Sequence, residues 1–262
     1  VVRQPQASAS NPYPEPVDIE GKTTEEIITE AEKLLEARNR DKIRQALNLL
    51  NAAIASEEGG NPDLRLFAAR GKAYLLQRDF EKARRDLAWV LYYDPENLDA
   101  RLSRSKLFYR IGNVQGGLDD LAFVLEQQPD NIEALLQRAT IYGSSNLDQA
   151  LNDLDRVLEL QPDNARAYAL RARLYADAGQ LENAEADYQK AISLDPTEVE
   201  ASYEYGMLLL SRGRVDEARE QFRAVMEHGT SSLHGDVMMK ASTQLKAIGS
   251  DNNEQNDEPS SP

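Results

Sequence analysis

The sequence predicts an all-α chain, an α-solenoid of stacked antiparallel helix pairs, and three observations predict it. Prolines recur at Pro95, Pro129, Pro162 and Pro196, spaced 34, 33 and 34 residues apart, a period typical of helical repeat arrays. A small residue precedes each proline by 12 places (Ala83, Gly117, Ala150 and Ala184), and a further copy without its proline is anchored by Ala218. Between these markers the large apolar residues fall at intervals of three, four and seven, which places them along one face of a helix.

Taken in order, residues 1–22 make a Pro-rich segment without an apolar period and are expected to be disordered. Residues 23–60 read as an irregular first repeat or cap. Its leading helix starts near Thr24, its second helix carries Ala46, Leu50 and Ala53, and a loop follows from Glu57 to Asn61. Five full units come next, at about 61–97, 98–131, 132–164, 165–198 and 199–229.

In the first helix of each unit a small residue (Gly71, Ser105, Ala139, Ala172, Gly206) precedes a large one (Tyr74, Phe108, Tyr142, Tyr175, Leu209) by three places. The second helix presents Leu87, Leu121, Leu154, Tyr188 and Phe222, then Val90, Val124, Val157, Ala191 and Val225. Small residues allow the two helices to approach, and the aromatics fill the space beside them. Between the helices, Gly112 and Gly179 can supply a positive φ. Proline between units cannot continue the preceding helix and biases its predecessor away from α. Residues 230–249, with Leu233, Val237, Met238, Ala241, Leu245 and Ile248 in a stripe, read as a closing helix over the last core face. Residues 250–262 are polar and acidic and are expected to be a disordered tail.

This pattern resembles the tetratricopeptide repeat family over five copies, from about Asn61 to His228. The resemblance implies a superhelix that acts as a non-catalytic interaction scaffold or adaptor, with a peptide segment lying along a concave groove lined by the first helices. Carried onto this chain, the groove residues are Arg65, Lys72, Leu76, Lys106, Tyr109, Arg110, Leu136, Thr140, Arg166, Arg173, Tyr203 and Met207. Six cations there outnumber Asp99, Glu133 and Glu200, so a locally positive groove suited to an acidic peptide is expected. The family's carboxylate clamp for chaperone tails is not expected. Lys72 with Ser103, or Lys106 with Gln137 and Arg166, reproduce only fragments of it.

One feature departs from the family. The place before the small residue of the first helix is Arg70, Arg104, Arg138 and Arg171 in four successive units, where the family has an apolar residue. In the same four units the second helix carries Asp86, Asp120, Asp153 and Asp187, and in the fifth both are replaced, by Tyr205 and Gln221. Joint presence and joint absence predict a ladder of structural ion pairs, one rung per repeat, rather than a row of ligand contacts. Arginine suits it because its planar fork can grip a carboxylate with two bonds.

The composition limits the remaining possibilities. With 30 Lys and Arg against 45 Asp and Glu, the net charge of −15 argues against a nucleic-acid partner. The chain has no cysteine. Its two histidines, His228 and His234, lack surrounding carboxylates at ligand spacing, so no metal and no cofactor are expected. No phosphate-binding Gly loop appears, no serine nucleophile motif with a histidine base and an acid is recognised, and Trp89 reads as a packing or rim residue, so no enzyme is expected. No apolar run is long enough to cross a bilayer. The chain opens at Val1 rather than methionine, which is read as either a trimmed chain or a mature form whose leader has been removed, and cytoplasm and periplasm both stay open. The competing functional expectation is a self-associating structural component of a larger, bacterial-envelope-like assembly.

Overall fold

The computed structural model describes residues 19–37, 39–57 and 63–254, the side chains of Ser144, 231–233 and 250–254 excepted. The chain divides into two compact units, 1–100 and 101–262. Among the described residues all regular structure is helical.

The first unit contains α1 (Thr24–Glu36), α2 (Arg40–Ser56), α3 (Leu64–Gln77), α4 (Phe80–Tyr93) and the start of α5 (Leu98–Arg110). The first four helices begin where a short polar side chain takes up an orphan amide. Thr23 and Glu26 close a reciprocal capping box on α1, and Asn39, Asp63 and Asp79 accept from the amides of Lys42, Arg65 and Lys82. The core is a cluster from α1, α2 and α3 in which Ala31, Ala46, Leu50 and Ala73 are fully buried and onto which Ile19 packs. Gly71 lets α3 approach α4 closely, since a Cβ there would lie 2.9 Å from the side chain of Leu87. The turn between them is made by Arg78 at φ 66°, a left-handed conformation that other repeats give to glycine.

The second unit holds the rest of α5, then α6 (Val114–Gln127), α7 (Ile132–Tyr142), α8 (Leu147–Leu160), α9 (Ala165–Asp177), α10 (Leu181–Leu194), α11 (Val199–Ser211), α12 (Val215–His228) and α13 (Ser231–Glu254). Gly112, Gly179 and Gly213 turn between paired helices at φ 82°, 74° and 74°. The unit that is one residue shorter absorbs the deletion in a 3-10 turn, Gly143–Asn146. Two of the turns between pairs run Pro-x-Asn, at Pro129 and Pro162. Asn131 and Asn164 each accept from the amide three places on and donate to the side chain before the proline, Gln128 and Gln161. The core of the last pairs gathers Ala172, Ala184, Ala191, Ala218, Phe222 and Val225, each with no exposed surface.

Two boundaries differ from the expectations above. Residues 19–22 are folded rather than part of the tail: the Lys22 amide donates to the Ile19 carbonyl, and the Lys22 ammonium lies 2.6 Å from Glu30. The closing helix α13 bends at His234 and continues to Glu254, because a helix already nucleated adds one hydrogen bond for each further residue it fixes. Its Ala241 and Ile248 are buried, with Val237, Met238 and Leu245 packed beside them. Residues 1–18 and 255–262, expected to be disordered, lie outside the described residues, as does most of the loop after Glu57.

Candidate partner-binding surface

The four arginines ahead of the small residues all reach the aspartate of their own second helix. Nε and Nη2 of Arg70, Arg104, Arg138 and Arg171 donate to the two carboxylate oxygens of Asp86, Asp120, Asp153 and Asp187, at 2.7–3.0 Å. The aspartate side chains are only 2–10% exposed and the arginines 17–27%. Burial works against the charge on Arg70, yet the hydrogen bonds and the field of Asp86 hold its pKa above the usual arginine value. For Arg104, Arg138 and Arg171 the bonded aspartate is the leading cause of the same upward shift.

A third arm extends some rungs to the preceding pair. Nη1 of Arg70 donates to Asn51 on α2, and Nη1 of Arg171 donates to Asp155 on α8. Asp120 is gripped twice, since Arg101 also donates to it at 3.0 Å. Aromatic rings flank the guanidinium groups. Arg70 sits over Phe67 and Tyr74, Arg104 over Phe108, and Arg171 over Tyr168 and Tyr175. Both carboxylate oxygens of each aspartate are engaged, and rings flank the guanidinium groups of Arg70, Arg104 and Arg171, so each rung ties the first helix of its pair to the second.

The last pair, α11 and α12, replaces the rung with a different joint. Tyr205 stacks on Tyr188, its hydroxyl donates to Glu185 at 3.0 Å and it accepts from Gln189 at 2.8 Å. Glu185 is held as well by Arg214 at 2.6 Å and Arg212 at 3.2 Å. Burial alone would raise the Glu185 pKa, and these cations with the Tyr205 hydroxyl bring it below the usual value. Sequence reasoning finds a loss at Tyr205 and misses this replacement.

The residues assigned to a groove occupy the first helices, and the structure brings most of their cations onto carboxylates. In the first unit Arg65 meets Glu25 at 2.7 Å and Asp63 at 2.6 Å, and Lys72 meets Glu32 at 3.4 Å. Leu76 is exposed. In the second unit Glu133 on α7 lies between Lys106 of α5 (2.9 Å) and Arg166 of α9 (3.7 Å). Burial pushes its pKa up, but the two cations and the Gln137 amide outweigh burial and lower it. Arg173 on α9 stands 3.8 Å from Glu204 on α11, which accepts the Tyr188 hydroxyl at 3.0 Å. Here burial prevails and the Glu204 pKa is raised, with Asp177 and Glu200 adding to it.

Two expectations are therefore corrected. Most cations of the first-helix surface are paired rather than forming a positive strip, by Glu133, which the sequence places among them, and by Glu25, Glu32 and Glu204, which it does not. Leu136 is 3% exposed and packs inward, so it is no lining residue. Thr140 is half-buried and donates to the Leu136 carbonyl. Tyr109, Arg110 and Met207 are exposed, and Tyr203 is half-buried against Phe222. His228 is exposed and His234 accepts from the Thr230 amide. Among the described residues no group of three or more His, Asp or Glu is placed to hold a metal, and no helix is long and apolar enough to cross a membrane.

Known proteins agree with this geometry. No curated protein matches the chain. Among solved structures, a thermophilic tetratricopeptide repeat protein of Thermus thermophilus superposes with a TM-score of 0.63 at 22% identity, covering 70% of this chain and 99% of that one. A tetratricopeptide repeat protein of Parabacteroides merdae covers 85% of this chain and 93% of its own at 21% identity, with a TM-score of 0.60. A double mutant of MamA RS-1 is 25% identical over 63% of this chain and 93% of its own, with a TM-score of 0.52. Folds of this kind are generally non-catalytic scaffolds for protein interaction, and no enzyme family is indicated. The tetratricopeptide repeat model matches residues 68–132, 142–199 and 170–228, together more than half of the chain, and the chain belongs to that family.

Proposed function

We propose that this chain is an adaptor that holds a segment of a partner polypeptide on the first-helix face of its second unit. The observation that carries the reading is the charge row Lys106, Glu133, Arg166 and Arg173, Glu204, which runs across successive repeats beside exposed Tyr109 and Met207. Exposed ion pairs are each worth only about 0–1 kcal/mol, so an incoming carboxylate or ammonium can exchange into such a row at little cost. Tyr109 and Met207 then supply apolar contact of the kind that dominates interface energetics. A row of mixed sign selects a segment carrying both charges, with acidic residues opposite Lys106, Arg166 and Arg173.

Recovery of binding partners with wild type and with Lys106→Glu/Arg173→Glu tests this. Loss of partners that the wild type retains is expected, and a parallel Tyr109→Ala/Met207→Ala variant should weaken the same partners. Survival of the full partner set in both variants would sink the proposal. The competing reading, a self-associating component of a larger assembly, is tested by molecular mass as a function of concentration.

A further inference from the structure

The second helix of the first unit's last pair carries an aromatic surface that neither the core nor the rungs use. On α4, Trp89, Tyr92 and Tyr93 follow Arg85 by four, seven and eight places, which sets all four residues on one side of the helix. Trp89 is 42% exposed, Tyr92 77% and Tyr93 49%. The rings meet edge to face, Trp89 with Tyr93 at 4.8 Å and Tyr92 with Tyr93 at 5.0 Å, and Phe67 of α3 extends the row at 6.3 Å from Trp89. Contiguous exposed aromatics of this kind mark an interaction surface. Ring edges and faces alternating along a helix leave shallow slots of the type in which polyproline II segments dock.

We infer that the aromatic side of α4 is the docking surface for the chain's own N-terminal segment, Asn11-Pro12-Tyr13-Pro14-Glu15-Pro16, bound as a polyproline II strand. Three prolines at alternate places fix φ at half of these residues, and each predecessor (Asn11, Tyr13, Glu15) is biased to extended geometry by the proline after it. All six residues therefore favour the bound conformation before binding, so little entropy is lost on docking.

The tether bounds the reach. Ile19 packs on the core of the first unit, and at about 3.1 Å per residue Pro16 can lie up to about 9 Å and Pro12 up to about 22 Å from it. Charge selects the direction. Lys82 and Arg84 are paired with Asp79 and Glu81, whereas Arg85 forms no salt bridge among the described residues, acts through its field on Asp79, and stands at the end of the stripe, where it can meet Glu15.

Trp89 is the chain's only tryptophan, so its emission reads this surface alone. The full chain is compared with a chain beginning at Ile19. Removal of residues 1–18 should move Trp89 emission to longer wavelength and increase its quenching by acrylamide, and a synthetic peptide of residues 9–18 should reverse both. Tethering supplies an effective concentration of about a millimolar, so the peptide is titrated to several times that. Arg85→Glu in the truncated chain should weaken the peptide up to about fivefold, the factor that about 1 kcal/mol of exposed ion pairing represents. Identical emission from full and truncated chains overturns the proposal. So does a change on truncation that the peptide fails to reverse, or one that a peptide with alanine at all three prolines reverses equally well. Emission of the truncated chain that depends on its own concentration would assign the surface to a second copy instead.

Discussion

Within the second unit, the joint between α9 and α10 and the joint at α11 solve one packing problem with opposite chemistry. Arg171 grips Asp187 on its own second helix and reaches back to Asp155 on the preceding one, so a single guanidinium ties three helices. Tyr205 stands at the equivalent place and turns only backwards, to Gln189 and Glu185. Towards its own second helix, α11 meets a different surface: Gln221 has a buried carbonyl oxygen without a hydrogen-bond partner, and the helices touch where Gly206 faces Phe222. The polar joint fixes register by direction and the apolar joint by shape. An interior repeat has neighbours on both sides to satisfy an arginine's five donors, whereas the last pair is closed by the apolar stripe of α13.

The largest expected effect breaks the polar joint. Arg138 donates to Asp153 through two bonds, and that aspartate is 5% exposed, so Arg138→Met leaves a buried carboxylate uncompensated and should cost about 3–5 kcal/mol in urea unfolding. Arg138→Met with Asp153→Leu should recover most of that loss, since a well-packed apolar pair often replaces a buried ion pair without penalty. Additive losses in the double-mutant cycle would mean that the two residues do not act as one joint.

The apolar joint should fail by overpacking. A Cβ at residue 206 would lie 2.7 Å from Cε1 of Phe222 and 3.0 Å from its Cζ, and that ring is fully buried and cannot step aside. Gly206→Ala should therefore destabilise by about 2 kcal/mol in the same assay despite alanine's better helix propensity. Adding Phe222→Leu should give a combined loss smaller than the sum of the two. Tyr205→Phe isolates the remaining polar part. Glu185 keeps Arg214 and Arg212, so the loss should be near ~1 kcal/mol, and a loss as large as that of Arg138→Met would erase the distinction between the joints.

Much of this is legible in the sequence, for reasons that particular residues make clear. Prolines and small residues mark the turns and close approaches of the units, because each is required by backbone geometry wherever the unit recurs. The arginines and aspartates can be paired because they recur in step, 16 places apart in three units and 15 in the shorter one. Tyr205 misleads because its partners, Gln189 and Glu185, belong to the preceding repeat, and loss in step says nothing about a substitute across the seam. Leu136 misleads because one position of helical phase separates a lining residue from a core residue. The pairing on the first-helix surface is hidden for a similar reason: Glu204 is an ordinary surface acid until the adjacent repeat brings Arg173 alongside, and Glu133, legible as a groove acid, shows its two partners only once Lys106 and Arg166 flank it. The asparagines after Pro129 and Pro162, by contrast, are visible signals. Asparagine just ahead of an apolar-periodic run is a helix cap on sequence grounds.

The finest test of the comparison lies in those two carboxylates. Glu133 sits between two cations and its pKa is held below the usual 4.5. Its contribution to stability is therefore present above that value and lost as pH falls through the lower folded pKa. Glu204, near the apolar joint, is dominated by burial with Asp177 and Glu200 nearby, and its pKa is raised. The folded state then binds this proton more tightly than the unfolded chain, so Glu204 opposes folding at neutral pH and the cost disappears as pH falls through its raised pKa. Glu133→Gln should lower neutral-pH stability and Glu204→Gln should raise it, each by about 0.5 kcal/mol given their partial exposure. On acidification both differences should shrink, that of Glu204→Gln first, because its carboxylate protonates at the higher pH. Urea unfolding of the two variants and wild type across the carboxylate range checks the order. Equal signs at neutral pH would show that neighbouring charge, and not burial, governs the last pair as it does the interior ones.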